Sequence, residues 1–247
     1  MNGIKSFWRQ RTHYLDRMTL RELIIAYFQY PAVIAYILLL FPSTYMAVVP
    51  ATPSEPTSWP LLLLSAITAI LVYPAVWYLL HRYVLHGQFL YRSPFTAALW
   101  KRIHYDHHQD PNNLRVLFGA LYTTLPTVAI VTLSVGNVIA GYQGAAAAFA
   151  AGLGTTLVYE FCHCIQHLHY VPKLQFLRKI KRLHLLHHFH NEQGNYGITN
   201  YFWDKIFHTF YGQSSDVPTS PTVFNLGYAE QETERYPWVA QLSKTAQ

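Results

Sequence analysis

No charged side chain occurs between residues 116 and 159. A membrane-crossing helix takes about 20 apolar residues, so this one run predicts two crossings folded back on each other. It divides near Gly141 to Gly144, where Gly and Gln break the apolar sequence. Residues 23–49 and 59–80 are also free of charge and predict one crossing each, the first kinked at Pro31. Only 12% of the residues are charged, about half the usual share of a soluble domain. Pro126 and the glycines Gly119, Gly136, Gly141 and Gly152 suit close helix packing in lipid.

The charges that remain bracket the apolar runs. Lys5, Arg9, Arg11, Arg17 and Arg21 precede the first; Arg82, Arg92, Lys101 and Arg102 follow the second; Lys173, Arg178, Lys179, Lys181 and Arg182 follow the last. The connections at 50–58 and 136–144 hold no Lys or Arg. By the positive-inside rule both termini and residues 81–114 face the cytoplasm. A net charge of +6 arranged this way speaks against nucleic-acid binding, which needs a groove-sized basic patch. The first apolar run begins after Glu22 and is too long for the core of a cleavable signal. Cys162 and Cys164 stand two apart in a predicted helix and point to opposite sides, which excludes a disulfide framework.

The expected architecture is all-α: an integral membrane four-helix transmembrane bundle with a cytoplasmic, histidine-rich cap for two metals. Residues 1–22 form a basic interfacial lead-in, 23–212 the membrane-embedded domain and 213–247 a cytoplasmic C-terminal tail. The second crossing is expected to run on through Trp77, His81 and Tyr83 and to end at Gly87, a C-cap glycine.

The chain has 14 histidines, most of them in four clusters. The clusters are His81 with His86; His104, His107 and His108; His163 with His167; and His184, His187 and His188. A four-crossing bundle would bring all of them to one end. On a helix, positions i, i+3 and i+4 share a face, so each His-x-x-His-His cluster is expected to aim at one place. His163 and His167 have the i, i+4 spacing that lets two imidazoles chelate one ion. His81 and His86 are five apart, about 140° around a regular helix. Either they serve different metals or the helix distorts near Gly87.

So many imidazoles exceed the four ligands of a structural zinc and fit two ions of higher coordination. Imidazole accepts Fe, Zn, Cu and Ni alike; zinc is a plausible replacement for iron in purified protein. A multi-histidine centre at a membrane suggests oxidation of a lipid by iron and dioxygen, whereas hydrolytic zinc would need an obvious general base. Glu160, three before His163, and Asp106, inside the second cluster, are candidates to orient ligand imidazoles.

The four clusters, in this order and spacing, resemble the fatty acid hydroxylase / sterol desaturase superfamily of membrane di-iron proteins. The ending Leu183-His184-Leu185-Leu186-His187-His188-Phe189-His190, with Asn195-Tyr196-Gly197-Ile198-Thr199-Asn200 and Phe202-Trp203-Asp204-Lys205-Ile206-Phe207, is most similar to the fatty acid 2-hydroxylase branch. The resemblance covers residues 60–212. It implies hydroxylation of an acyl chain, often within a ceramide, with dioxygen and two externally supplied electrons. The clustered histidines would hold the metals, and the electrons would come from a separate donor such as cytochrome b5 or ferredoxin with a reductase. The membrane would be the inner membrane of a bacterium or the endoplasmic reticulum of a eukaryote.

Some members carry a fused cytochrome b5 domain, for which residues 1–22 are too short. His208 stands where relatives usually have Gly and reads as a surface histidine. His190 and Asn195 are candidates for the surroundings of the metals, and Trp203 and Asp204 for locking the tail onto the metal end. His169 and His13 read as interfacial. Tyr83, Tyr105, Tyr196 and Trp77 could line an acyl tunnel, though aromatics at membrane interfaces are expected anyway. The alternatives are a desaturase, or a hydroxylase of a sterol, carotenoid or other isoprenoid lipid. A metal transporter would place its ligands mid-membrane, and a bis-histidine haem carrier would need histidine pairs deep in facing helices.

Overall fold

The computed structural model describes residues 14–49 and 57–245. Lys5, Arg9, Arg11, His13 and most of the 50–58 connection lie outside the described residues. Among the described residues the regular elements are all helices, with no strand. In chain order the helices are α1 (Leu20–Phe28), α2 (Pro31–Val48), α3 (Trp59–Leu79), α4 (Pro94–Trp100), α5 (Asp106–Gln109), α6 (Leu114–Leu117), α7 (Leu121–His167), α8 (Gln175–Phe189), α9 (Phe202–Ile206), α10 (Glu230–Arg235) and α11 (Trp238–Thr245). They form two compact units. Of the described residues, one comprises 24–49, 57–76 and 119–161; the other comprises 14–23, 77–118 and 162–245.

Among the described residues three helical stretches are long and apolar enough to cross a membrane: Pro31–Val48, Trp59–Leu85 and Leu114–His167. The first starts at Pro31 rather than at Leu23. Tyr30 is extended (φ −74°, ψ 129°), because the residue before a proline is pushed out of the helical region, so α1 and α2 separate there. α1 itself opens with a reciprocal cap, in which the Thr19 backbone N–H donates to Glu22 and the Glu22 N–H donates to the Thr19 hydroxyl.

α7 is two arms, not one rod. Ala140 (φ −146°, ψ 32°) and Gly141 (φ 56°, ψ −143°) leave the helical region, and Gly141 takes the left-handed conformation at the turn. Beyond it the chain folds back. A side chain on Gly136 would strike the Gly144 backbone, and one on Gly152 would lie 2.7 Å from Thr132 Cγ2. Residues twenty apart on a straight helix would be about 30 Å away, so the contact requires a hairpin. Ala32, Tyr36 and Leu153 form the core of this unit, with Leu121, Leu125, Phe149 and Leu157 packed against them. Outward-facing Leu38, Phe41, Leu71, Ile130 and Val138 are exposed, an arrangement suited to hydrocarbon rather than water.

The second unit is built around aromatic and histidine clusters. Leu90, Tyr91, Ala97 and Trp100 pack with Leu226, Tyr228 and Val239 from the end of the chain. The stretch expected as a tail therefore supplies core residues here. Leu15 is fully buried, and its N–H donates to the Asn112 carbonyl at 2.8 Å. Gly87 follows the helical stretch that ends at Leu85, yet it is not among the positive-φ glycines. What it supplies is room, since a Cβ there would press on the Tyr83 carbonyl and the Phe89 ring.

Candidate metal centre

α3 does not stop at Leu79. It continues as a π-turn over Leu80–Leu85, and the His86 N–H donates to the His81 carbonyl at 3.1 Å, five residues back. The wider turn cancels the 140° offset of an ordinary helix. The Nε2 atoms of His81 and His86 come within 3.2 Å. Of the two sequence readings, the distorted helix is the one observed. α4 likewise passes into a π-turn, Lys101–Tyr105, before α5, and sets His104 Nε2 2.9 Å from His86 Nε2.

The histidines gather into two groups of five. His81, His86, His104, His108 and His187 form the first; His107, His163, His167, His184 and His188 form the second. Within each group the donor atoms all lie within 4.8 Å of one another. The expectation that each His-x-x-His-His cluster aims at one place is corrected here. Successive residues on a helix diverge by about 100°, so adjacent histidines point apart. His108 and His187 join the first group, while their neighbours His107 and His188 join the second. The two groups nevertheless touch, with the His108 and His188 rings 4.3 Å apart.

Backbone carbonyls orient the first group. Nδ1 of His81 donates to Tyr196 O (2.6 Å), Nδ1 of His108 to Val223 O (2.8 Å) and Nδ1 of His187 to Gly194 O (2.7 Å). Each bond fixes the tautomer that leaves Nε2 with a free lone pair. Nε2 of His108 and Nε2 of His187 are buried and meet no protein partner. In the second group, Nε2 of His107 lies 3.2 Å from Nε2 of His163, and Nε2 of His167 lies 2.9 Å from Nε2 of His184. Both nitrogens of His188 are buried without a partner.

This donor set fits metal ions. Ligand nitrogens about 2.1 Å from an ion and at right angles are about 3 Å apart, the spacing seen between Nε2 atoms. Burial, reinforced by neighbouring imidazoles, drives His86, His104, His107, His184, His187 and His188 well below the ordinary histidine pKa. Burial also lowers His108, to about 3, with its bond to Val223 O opposing. Neutral imidazoles are the form that binds metal.

The other expected site residues fall differently. Asn195 is buried at a left-handed position (φ 53°); its side chain donates to Tyr211 O at 2.9 Å and accepts from Tyr211 N at 3.1 Å. It thereby shapes the turn whose Gly194 and Tyr196 carbonyls orient the His187 and His81 imidazoles. Asp204 is buried and accepts from the N–H groups of Tyr196 (2.7 Å) and Gly197 (2.9 Å), which pins the same turn. His190 is in neither group. Its Nε2 donates to Val217 O at 2.9 Å, and its Nδ1 lies 3.1 Å from the Thr219 hydroxyl. Asp106 pairs with Lys101 at 2.5 Å instead of with an imidazole. Glu160 is buried in the other unit, where a Cβ on Gly119 would lie 2.9 Å from its Oε1.

Sequence reasoning missed the strap. Residues 217–224 are tied down by His190, by Asn191 Nδ2 donating to Pro218 O (2.8 Å), and by the Thr222 hydroxyl donating to the buried Glu192 (2.5 Å). The strap returns the Val223 carbonyl to His108. A carbonyl carries no residue-type signature, so only Glu192, an acidic residue four after His188, was visible as a signal.

The fatty acid hydroxylase family model matches residues 66–209, more than half of the chain. The ceramide very long chain fatty acid hydroxylase SCS7 of Saccharomyces cerevisiae is 31% identical over 157 residues, 61% of this chain and 38% of its own length. The dihydroceramide fatty acyl 2-hydroxylase FAH2 of Arabidopsis thaliana is 30% identical over 149 residues, covering 58% of this chain and 59% of its own. The fatty acid 2-hydroxylase of Rattus norvegicus is 26% identical over 61% of this chain and 40% of its own. This chain thus spans less than two thirds of each of these relatives, and about two fifths of two of them. The solved structure of full-length scs7p, in which only the hydroxylase domain is visible, superposes with a TM-score of 0.63 at 24% identity, covering 78% of this chain and 69% of that one. That is a likeness of fold. The family match, over a helical chain whose histidines converge in two adjoining groups, is the decisive finding: the chain belongs to the fatty acid hydroxylase family.

Proposed function

We propose that this chain is a membrane hydroxylase that places a hydroxyl group on the acyl chain of a fatty acid or ceramide-type lipid, at the carbon next to the carbonyl. The observation that carries this reading is the convergence of ten histidines, all buried except the half-buried His86, into two touching groups of five. The relatives support the substrate class, being fatty acid and ceramide hydroxylases by name.

In this reading two iron ions are the resident metals, one in each group, with zinc able to replace them. Bound iron supplies the reductive activation of dioxygen that attack on an unactivated C–H bond demands. The rest falls to the chain. His81, His108 and His187 are held at fixed tautomers by the Tyr196, Val223 and Gly194 carbonyls, so their lone pairs are aimed before metal arrives. Asn195 and Asp204 hold the turn that carries two of those carbonyls. Burial excludes water from the reacting centre. Overall one C–H bond and the O–O bond break, a C–OH group forms and the second oxygen leaves as water. The two electrons and two protons come from outside, through a separate donor such as cytochrome b5 or a ferredoxin with its reductase. Glu160 is proposed to steady the third cluster, and Asp106, through Lys101, the π-turn before the second.

The membrane reading has four crossings, because α7 folds back at Gly141. Lys and Arg flank the cytoplasmic ends, which puts the termini and residues 88–114 in the cytoplasm. Residues 23–212 are the membrane-embedded domain of this reading. Lipid analysis of cells expressing the chain tests it. Lipids with 2-hydroxylated acyl chains should appear with the wild type and be absent with His86→Ala at equal expression. A change in double bonds without new hydroxyl groups would replace the hydroxylase by a desaturase.

A further inference from the structure

α8 has a second face, turned away from its histidines. At about 100° per residue, Arg178, Arg182, Leu185 and Phe189 fall within roughly 60° of one another, with His187 on the opposite side, His184 about 130° away and His188 about 90° away. These four line an open groove of about 460 Å³ together with Lys181, Leu186 and His190. Its cations come from the first half of the helix and its hydrocarbon from the second. An adjoining hollow of about 590 Å³ is lined by Gln175, Phe176, Arg178, Lys179 and Arg182.

The charge here is uncompensated. From Phe161 to Asn191 the sequence has no Asp or Glu, while it has Lys173, Arg178, Lys179, Lys181 and Arg182. Among the described residues none of these cations pairs with a carboxylate. Arg178 donates to the Lys173 carbonyl, Arg182 to the Gly212 carbonyl, and Lys181 to the Leu168 and Tyr170 carbonyls. Val171, Leu174, Phe176 and Phe189 are exposed beside them. The last candidate membrane span ends at His167, seven residues before Leu174. Exposed hydrocarbon mixed with cations that no carboxylate neutralises matches a lipid surface with anionic head groups. An acidic protein would match the cations but would have no use for the apolar half of the groove.

We infer that the outer face of α8 binds an anionic phospholipid. Arg178 and Arg182, with Lys179 beside them, take the phosphate, since guanidinium forks match its oxygens. Leu185 and Phe189 take the first part of an acyl chain. The inference requires a membrane but not the hydroxylase reading, because lipid capture is measured without turnover.

The test uses the full chain in nanodiscs of phosphatidylcholine with or without phosphatidylglycerol, followed by native mass spectrometry of the lipid that stays bound. Wild type should retain phosphatidylglycerol in preference to phosphatidylcholine. Each cation removed should weaken that preference by about five-fold, so Arg178→Gln/Arg182→Gln should abolish most of it. Arg178→Gln/Lys179→Gln gives an independent reading should loss of the Arg182 bond to Gly212 impair folding. Leu185→Asn should weaken retention with all cations in place. Equal phosphatidylglycerol retention by wild type and both charge variants overturns the proposal. So does full displacement of the lipid by inorganic phosphate, which would make this a simple anion site. If the charge variants keep phosphatidylglycerol but lose turnover with an electron donor, the face belongs to an acidic protein and the lipid proposal fails.

Discussion

Nε2 of His86 lies 3.2 Å from Nε2 of His81, although five residues separate them, because the backbone between them makes a π-turn. That turn assigns both to one group and leaves the third cluster, His163 with His167, wholly to the other. The partition has a direct consequence. His86→Ala should lower bound metal from about two ions per chain to about one, His163→Ala should do the same from the other side, and the double variant should hold almost none. Elemental analysis of folded protein decides it. Equal loss of both ions from each single variant would mean that the two groups are one indivisible site.

Metal removal should destabilise the chain, and acid should deepen the loss. His86, His104, His107, His184, His187 and His188 have folded pKa values depressed by burial. Below the unfolded value of about 6.5 the unfolded chain takes up protons that the folded chain refuses, so stability present above that pH is lost as pH falls. Each such imidazole adds about 1.4 kcal/mol per pH unit to the slope. Chelated protein melted in detergent from pH 8 to pH 5 should show a flat region and then a steep fall beginning near 6.5. A flat profile throughout would mean that these rings are not buried and neutral.

His208→Gly should stabilise the protein. His208 is exposed and sits at φ 56°, a left-handed position that costs most L-residues about 1–2 kcal/mol. Glycine gives back part of that through its freer unfolded chain, leaving a gain of up to about 1 kcal/mol. Melting temperature is the readout, with turnover unchanged.

The α7 hairpin should fail at one glycine and tolerate change at another. Gly136→Val would drive a side chain into the Gly144 backbone, whereas a Cβ at Gly154 meets nothing within 4 Å. The first should cost at least about 3 kcal/mol, seen as loss of monodisperse protein on size exclusion. Gly154→Ala should behave as wild type.

His190→Ala should separate the strap from the metals. Without its bonds to Val217 O and Thr219, residues 217–223 should be cut faster in limited proteolysis. Bound metal should stay near its wild-type content, while activity falls about 10-fold. Loss of an ion would instead make His190 a ligand.

Much of this was legible along the chain. Uncharged runs long enough to cross a bilayer report their environment residue by residue, because each charge in hydrocarbon is costly wherever it stands. The histidine clusters were visible for a related reason: ligand chemistry needs a particular side chain, and i, i+4 spacing such as His163 with His167 is a local helical property.

Which ring joins which group was not readable. It depends on π-turns at Leu80–Leu85 and Lys101–Tyr105, which change the angular step and have no residue signature. The carbonyls of Gly194, Tyr196 and Val223 were equally silent, since every residue has one and only the returning chain selects which meets an imidazole. The sequence by itself determined which segments are apolar enough to cross a membrane and the chemistry of the donors, both properties of side chains and short spacings. The tertiary structure decided the five-and-five partition, the strap and the orienting carbonyls, because those depend on where distant backbone segments come to lie.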